Sequence, residues 1–255
     1  MTDTIREERF FTSKVDGFED RYIVEYAAGK TPGPLVAYLH AGLSHAEQGF
    51  CEDSEWCFGA LRDEVIRRGG VYLAPEYRGN SWMGAPAEAD LAALLVELKL
   101  SHKTSKVILA GTSMGGTSAL IFASHHADII AGVIALCPVT DMKKLYRAMD
   151  RNEDLMSRHL VKSIVRSYGG TPDANPGEYV HRSSVRQAAR LKMPVVIRHG
   201  DADRIVPISH STSLVEKLRI QGTRVRLDVI EGGDHTAPTI DVPWREYLDF
   251  VLGVD

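Results

Sequence analysis

The sequence predicts an α/β fold: a mostly parallel sheet of about eight strands flanked by helices, with a helical insertion at about 141–190. Three observations carry this. Leu35–Leu39, Val71–Ala74 and Ile130–Leu136 are short, continuous apolar runs, the pattern of strands buried on both faces. Segments of helical spacing alternate with them, which implies right-handed strand–helix–strand units. Polar, glycine-containing loops follow the strands, and a parallel sheet gathers such loops at its carboxyl edge, where ligands bind.

Arg9–Val15 and Arg21–Tyr26 read as strands split by the turn residues Asp16 and Gly17. The run Leu35–Leu39 follows Pro32-Gly33-Pro34 and ends at His40-Ala41-Gly42-Leu43. Residues 55–68 place Trp56, Ala60, Leu61 and Val65 at helical spacing, and Gly69-Gly70 ends the helix. Val71–Ala74 is the next strand, and 87–100, rich in Ala, Leu and Glu, the next helix. A strand at Val107–Ala110 enters Gly111-Thr112-Ser113-Met114-Gly115, and Ser118–Ser124 is helix-compatible. Ile130–Leu136 stops at Pro138. Residues 141–168 show mixed helical spacing and 169–184 hold Gly, Pro, Asn and Ser, so the insertion reads as helices plus a loop above the sheet. Val195–Ile197 and Val225–Ile230 are strands, Ser209–Ile220 an amphipathic helix, and Val242–Leu252 the closing helix.

The 255 residues suit a single domain, 1–255. Hydrophobic residues at 44% and charged residues at 25% are ordinary for a globular chain. Thirty Lys and Arg against 34 Asp and Glu give a net charge of −4, which argues against a nucleic-acid partner. No apolar run approaches the ~20 residues that span a bilayer, and residues 1–8 have no signal core, so the expectation is a cytoplasmic protein without a membrane partner. Cys51, Cys57 and Cys137 lack metal spacing; a Cys51–Cys57 pair is open to geometry, but reduced thiols are expected in the cytosol.

Strand, Gly-x-Ser-x-Gly, helix is the context of a nucleophile elbow, whose sharp turn projects the serine hydroxyl. Serine needs a base to take its proton and an acid to orient that base. Among ten histidines, His235 stands apart: it follows a strand and Gly232-Gly233 near the C-terminus. His102, His125, His126, His181 and His210 read as solvated surface. Asp201 and Asp203 follow the preceding strand; Asp201, next to Gly200, suits a turn, which favours Asp203. Asp234 adjoins His235 in sequence, and such neighbours rarely point at each other. The catalytic candidates are therefore Ser113, Asp203 and His235. The oxyanion donors are the backbone N–H of Met114 and that of Gly42 or Leu43. His40 reads as a structural tie to loop backbone.

These stretches, with Tyr38–Gly42, Glu76–Ser81, Tyr168–Pro172, His199–Pro207 and Gly232–His235, make the chain resemble the α/β-hydrolase superfamily. More narrowly, it is similar to the prolyl oligopeptidase (S9) catalytic domain and its small esterase relatives. The family's His-Gly-x-x-Asp pattern puts the acid on Asp203. Two departures matter. Ala41 stands where the family usually has glycine, and the residues before Leu35 leave no room for the β-propeller of the large peptidases. The resemblance without that domain implies a serine carboxylesterase acting on small-molecule esters, including aryl or feruloyl types, with Trp82 and Met83 as pocket candidates. No metal or organic cofactor is implied. The alternative is a serine peptidase for short peptides. A non-catalytic binding module normally lacks a triad member, and a dienelactone hydrolase carries cysteine where Ser113 stands.

Overall fold

The computed structural model of the protein describes residues 3–29, 33–52 and 58–254. Eight strands form one sheet: β1 (Thr4–Thr12), β2 (Glu19–Ala27), β3 (Leu35–Leu39), β4 (Val71–Pro75), β5 (Val107–Thr112), β6 (Ile130–Leu136), β7 (Val195–Gly200) and β8 (Val225–Ile230). Their spatial order is β1-β2-β4-β3-β5-β6-β7-β8. β1–β2 and β2–β4 pair antiparallel; every later pairing is parallel.

The first hairpin differs from the sequence reading, since β1 begins at Thr4 rather than Arg9. Residues 4–8 carry charges that mask a strand signal. They pair because β1 is an edge strand whose exposed face tolerates them, in register from Thr4–Ala27 to Thr12–Glu19.

Side-chain alternation along the parallel strands feeds two cores. Leu35, Ala37 and Leu39 of β3 face α2 (Ala85–Ser101), α3 (Met114–His125) and α7 (Ser209–Ile220). Val36 and Tyr38 face α1 (Gly59–Arg67) and α8 (Trp244–Leu252). The sheet thus lies between two helical layers. The helix expected over 55–68 is seen from Gly59; Trp56 and Cys57 lie outside the described residues, and with Cys57 so does the question of a Cys51–Cys57 pair.

Between β6 and β7 stand α4 (Met142–Met149), α5 (Leu155–Tyr168) and α6 (Pro176–His181). Asp141 and Asp154 cap α4 and α5 by accepting the N–H of Lys144 and Ser157. Gly169, at φ +69°, ends α5. The third helix lies in the stretch read as loop. It starts on Pro176, whose fixed φ suits a first helical turn.

Candidate active site

Ser113 sits between β5 and α3 at φ +53°, ψ −113°. A non-glycine residue held there stores about 1–3 kcal/mol, so its surroundings must over-determine it. They do: Ser113 N–H donates to Leu136 O at 2.8 Å, and Thr117 N–H donates to Ser113 O at 2.9 Å. The flanking glycines permit the packing. A Cβ on Gly111 would lie 2.5 Å from Gly115 carbonyl carbon, and one on Gly115 would collide with the Leu39 carbonyl.

Two further loops deliver the partners. His235 follows β8 and Asp203 follows β7. Gly232 N–H donates to Asp201 Oδ1 at 2.7 Å, and Ala202 N–H to Gly233 O at 2.9 Å, stitching these loops together. A Cβ on Gly200 would meet Gly233 carbonyl carbon at 2.5 Å, so the approach needs glycine. His235 Nε2 then lies 3.0 Å from Ser113 Oγ, and Nδ1 lies 2.6 Å from Asp203 Oδ2. Asp203 Oδ1 accepts the N–H groups of Ile205 at 2.9 Å and Val206 at 2.8 Å. The structure therefore brings Ser113, His235 and Asp203 into one hydrogen-bonded line. Asp201 instead staples the loop, and Asp234 caps its own turn through Thr236 and Ala237.

Burial works against the Asp203 carboxylate, but hydrogen bonds from His199, His235 and Val206 N–H outweigh it and hold its pKa well below the usual range. Burial likewise disfavours the His235 imidazolium, and the Asp203 carboxylate with the Cys137 sulfur more than offsets that, so its pKa is raised. The site thus stabilises a protonated His235 imidazole.

Met114 opens α3, so its N–H has no intrahelical acceptor. Leu43 N–H is taken by Asn80 Oδ1 at 2.7 Å. That removes Leu43 from the oxyanion candidates and leaves Gly42, which lines the same cavity as Met114. Leu43 adopts φ +63°, and Asn80 anchors it there. The His40 ring contacts the carbonyls of Ala41 at 2.8 Å and Glu76 at 3.1 Å.

A cavity of about 220 Å³ opens beside Ser113. Leu145 and Met149 of α4, Met156 and Leu160 of α5, Trp82 and Val206 form much of its wall. Trp82 Nε1–H donates to Ser163 Oγ at 2.9 Å, which ties it to α5. Met83 is a correction: it is fully buried in the core and does not reach the cavity. Residues 82 and 83 both take positive φ, and the turn sends their side chains to different places. The remaining histidines also differ from the sequence reading. His210 is buried and faces the N–H groups of Thr140 and Asp141. His125 and His126 bind Glu88 at 2.9 Å, and His125 stacks on His181. His102 is half-buried against Tyr26.

The sequence reading missed Asn80 and His199 as site-builders, and it missed the cavity wall of α4 and α5. The wall had a signal in the four-residue spacing of Leu145–Met149 and Met156–Leu160. Asn80 and His199 lie in stretches that carry the family resemblance, but their contacts had no local signal, because their partners lie 37 and four to 12 residues away with no periodic pattern. Among the described residues, no group of three or more His, Cys, Asp or Glu is placed to hold a metal ion. No helix among them is long and apolar enough to cross a membrane.

The fold is the α/β-hydrolase fold, and its strand-end site aligns a serine, a histidine and a carboxylate. The chain belongs to the prolyl oligopeptidase family (Peptidase S9), whose pattern runs through residues 87–251. It is 31% identical over 164 residues to a Bacillus subtilis (strain 168) protein named as the uncharacterized peptidase YtmA, a stretch covering 61% of each chain. In structure it is similar to a Mycobacterium tuberculosis puromycin-hydrolyzing peptidase (TM-score 0.73, 17% identity), covering 98% of this chain and 40% of that one. It is also similar to FphF, a fluorophosphonate-binding serine hydrolase of Staphylococcus aureus (TM-score 0.71, 15% identity), covering 97% and 98%.

Proposed function

We propose that this protein is a serine carboxylesterase for small-molecule esters with compact apolar acyl groups. One observation carries the preference for esters: His235 is the one titratable side chain on the cavity wall among the described residues, the remainder being apolar, small or hydroxyl-bearing. Among the described residues, no carboxylate on that wall awaits the ammonium of a free peptide N-terminus. The chamber beside Ser113, about 220 Å³, is walled mainly by apolar side chains and suits a small apolar acyl group.

In this reading Ser113 Oγ attacks the ester carbonyl carbon while its proton passes to His235 Nε2. Asp203 keeps the Nδ1–H tautomer and balances the imidazolium. The N–H groups of Met114 and Gly42 receive the oxyanion. Collapse breaks the carbonyl–alkoxy bond, and His235 returns the proton to the departing alcohol. Water repeats the cycle on the acyl-enzyme. An amine is a poorer leaving group and leans harder on remote binding energy to align its protonation.

A p-nitrophenyl ester and a p-nitroanilide sharing one hexanoyl group test this directly. The ester kcat/KM is expected to exceed the anilide's by at least ~10³-fold, about 4 kcal/mol of barrier. Ser113→Ala is expected to lower kcat by ~10⁴-fold or more and abolish phosphonate labelling. Equal rates on the pair would move the protein to the short-peptide peptidase reading, which family membership favours. A folded Ser113→Ala protein with near wild-type turnover would falsify the nucleophile.

A further inference from the structure

The Asp203 side chain is fully enclosed, and His199 is buried beside it with no exposed surface. A carboxylate in a dry site must fill its lone pairs or bear the cost of leaving them empty. Oδ1 takes two backbone N–H groups, and Oδ2 takes His235 Nδ1–H. The remaining neighbour of Oδ2 is His199 Nε2, at 3.3 Å. The same nitrogen lies 2.7 Å from Val206 O, and His199 Nδ1 lies 2.6 Å from the buried Ser211 Oγ. One tautomer satisfies all three contacts. Nε2–H is shared between Val206 O and Asp203 Oδ2, while Nδ1 accepts the Ser211 hydroxyl proton. Val206 closes the ring, since its N–H goes to Asp203 and its carbonyl to His199.

We propose that His199 is a positioning residue for the triad acid, with Ser211 fixing the tautomer that lets it act. The inference rests on the triad reading above. His199 holds both the carboxylate and the turn that carries it, so that Oδ2 presents to His235 in one orientation. It never meets substrate and contributes nothing to the cavity wall. Its removal should therefore slow proton transfer from Ser113 without altering how the ester binds. A tie that served only to join β7 to α7 would change stability and leave the chemistry of the folded fraction alone.

The test compares His199→Leu, His199→Gln and Ser211→Ala on a p-nitrophenyl ester, with Asp203→Asn as the reference. His199→Leu is expected to lower kcat about 10- to 100-fold, the scale of one hydrogen bond to a charged group. KM should stay within about twofold, because binding is untouched. The downfield proton resonance of the His235–Asp203 hydrogen bond should shift. Gln, whose amide can donate to Asp203 and accept from Ser211, should restore kcat to within about fivefold of wild type. Should His199→Leu not fold, Ser211→Ala decides, with an expected loss of about three- to tenfold in kcat and a shifted resonance. Unchanged kcat per folded molecule together with an unchanged resonance, in whichever variant folds, overturns the proposal. Asp203→Asn separates the two levels: if it is inactive while His199→Leu is normal, the positioning role alone fails. If Asp203→Asn is itself active, the triad reading fails.

Discussion

Asp203→Asn makes a sharp demand on the geometry. An amide has one oxygen and one NH₂, so the asparagine must choose which occupies the Oδ1 position. Two backbone donors, Ile205 N–H at 2.9 Å and Val206 N–H at 2.8 Å, point at Oδ1 and select the oxygen. The NH₂ is thereby forced to the Oδ2 position, 2.6 Å from His235 Nδ1 and 3.3 Å from His199 Nε2. Donor now faces donor, and His235 relieves the conflict by moving its proton to Nε2. Nε2 is the nitrogen that meets Ser113 Oγ at 3.0 Å, and a protonated Nε2 cannot accept the serine proton. The expected loss in kcat is ~10⁴-fold, about 5 kcal/mol, with the fold intact. Steady-state hydrolysis of a p-nitrophenyl ester, read beside circular dichroism, measures it. Asp201→Asn is the control. Its Oδ1 accepts Gly232 N–H from an exposed position, a bond the amide oxygen can keep, so the loss should stay within about threefold. A reversed order of losses, or an Asp203→Asn enzyme within ~10²-fold of wild type, would refute this reasoning.

The raised pKa of His235 sets the pH profile. His235 must be neutral to accept a proton, so kcat/KM should climb with pH, with an inflection above the ordinary 6.5. Stability should run the other way at the alkaline end. A raised folded pKa stabilises fully below 6.5 and is lost as pH rises through the folded value; the depressed Asp203 stabilises above 3.8 and is lost as pH falls. An activity inflection at or below 6.5 would contradict the ion pair. Asn80→Ala removes the anchor of Leu43, held at φ +63°, and should displace the Gly42 donor; kcat is expected to fall about tenfold at little cost in Tm, part of the 10²–10³ for deleting a donor outright. An unchanged kcat would place the second donor elsewhere. Gly115→Ala puts a methyl group against the Leu39 carbonyl and should cost several kcal/mol in chemical denaturation, roughly the overpacking range or beyond. A wild-type unfolding midpoint would mean that the elbow is looser than its packing implies.

Much of the fold was legible because both-face burial leaves little choice of residue. Leu35–Leu39, Val71–Ala74 and Ile130–Leu136 are apolar throughout and are strands at those positions. The order in which strands pair was not legible, since β4 lies between β2 and β3 through contacts distant in sequence. Edge strand β1 was misplaced because its charged residues satisfy exposure rather than burial. At the site, the three residues placed in one hydrogen-bonded line each sit beside a glycine-bearing turn after a strand, a local signal. Met83 carried no such signal, and adjacency to Trp82 misled: two successive positive-φ residues break the relation between neighbours in sequence and neighbours in space. Leu43 and Gly42 were equivalent until Asn80, 37 residues away, was seen to occupy one of them.

The division of labour in the cavity has an engineering consequence. Ser113, Asp203 and His235 all hang from the sheet, whereas Leu145, Met149, Met156 and Leu160 come from two helices inserted between β6 and β7. Those helices supply contour and no reacting atom. On the proposed esterase reading, exchanging side chains on their inner faces would resize the cavity beside Ser113 while the hydrogen-bonded line on the strand ends stays as it is. Recognition and reactivity are thus encoded in separable parts of one chain, and the first can drift or be redesigned at fixed chemistry.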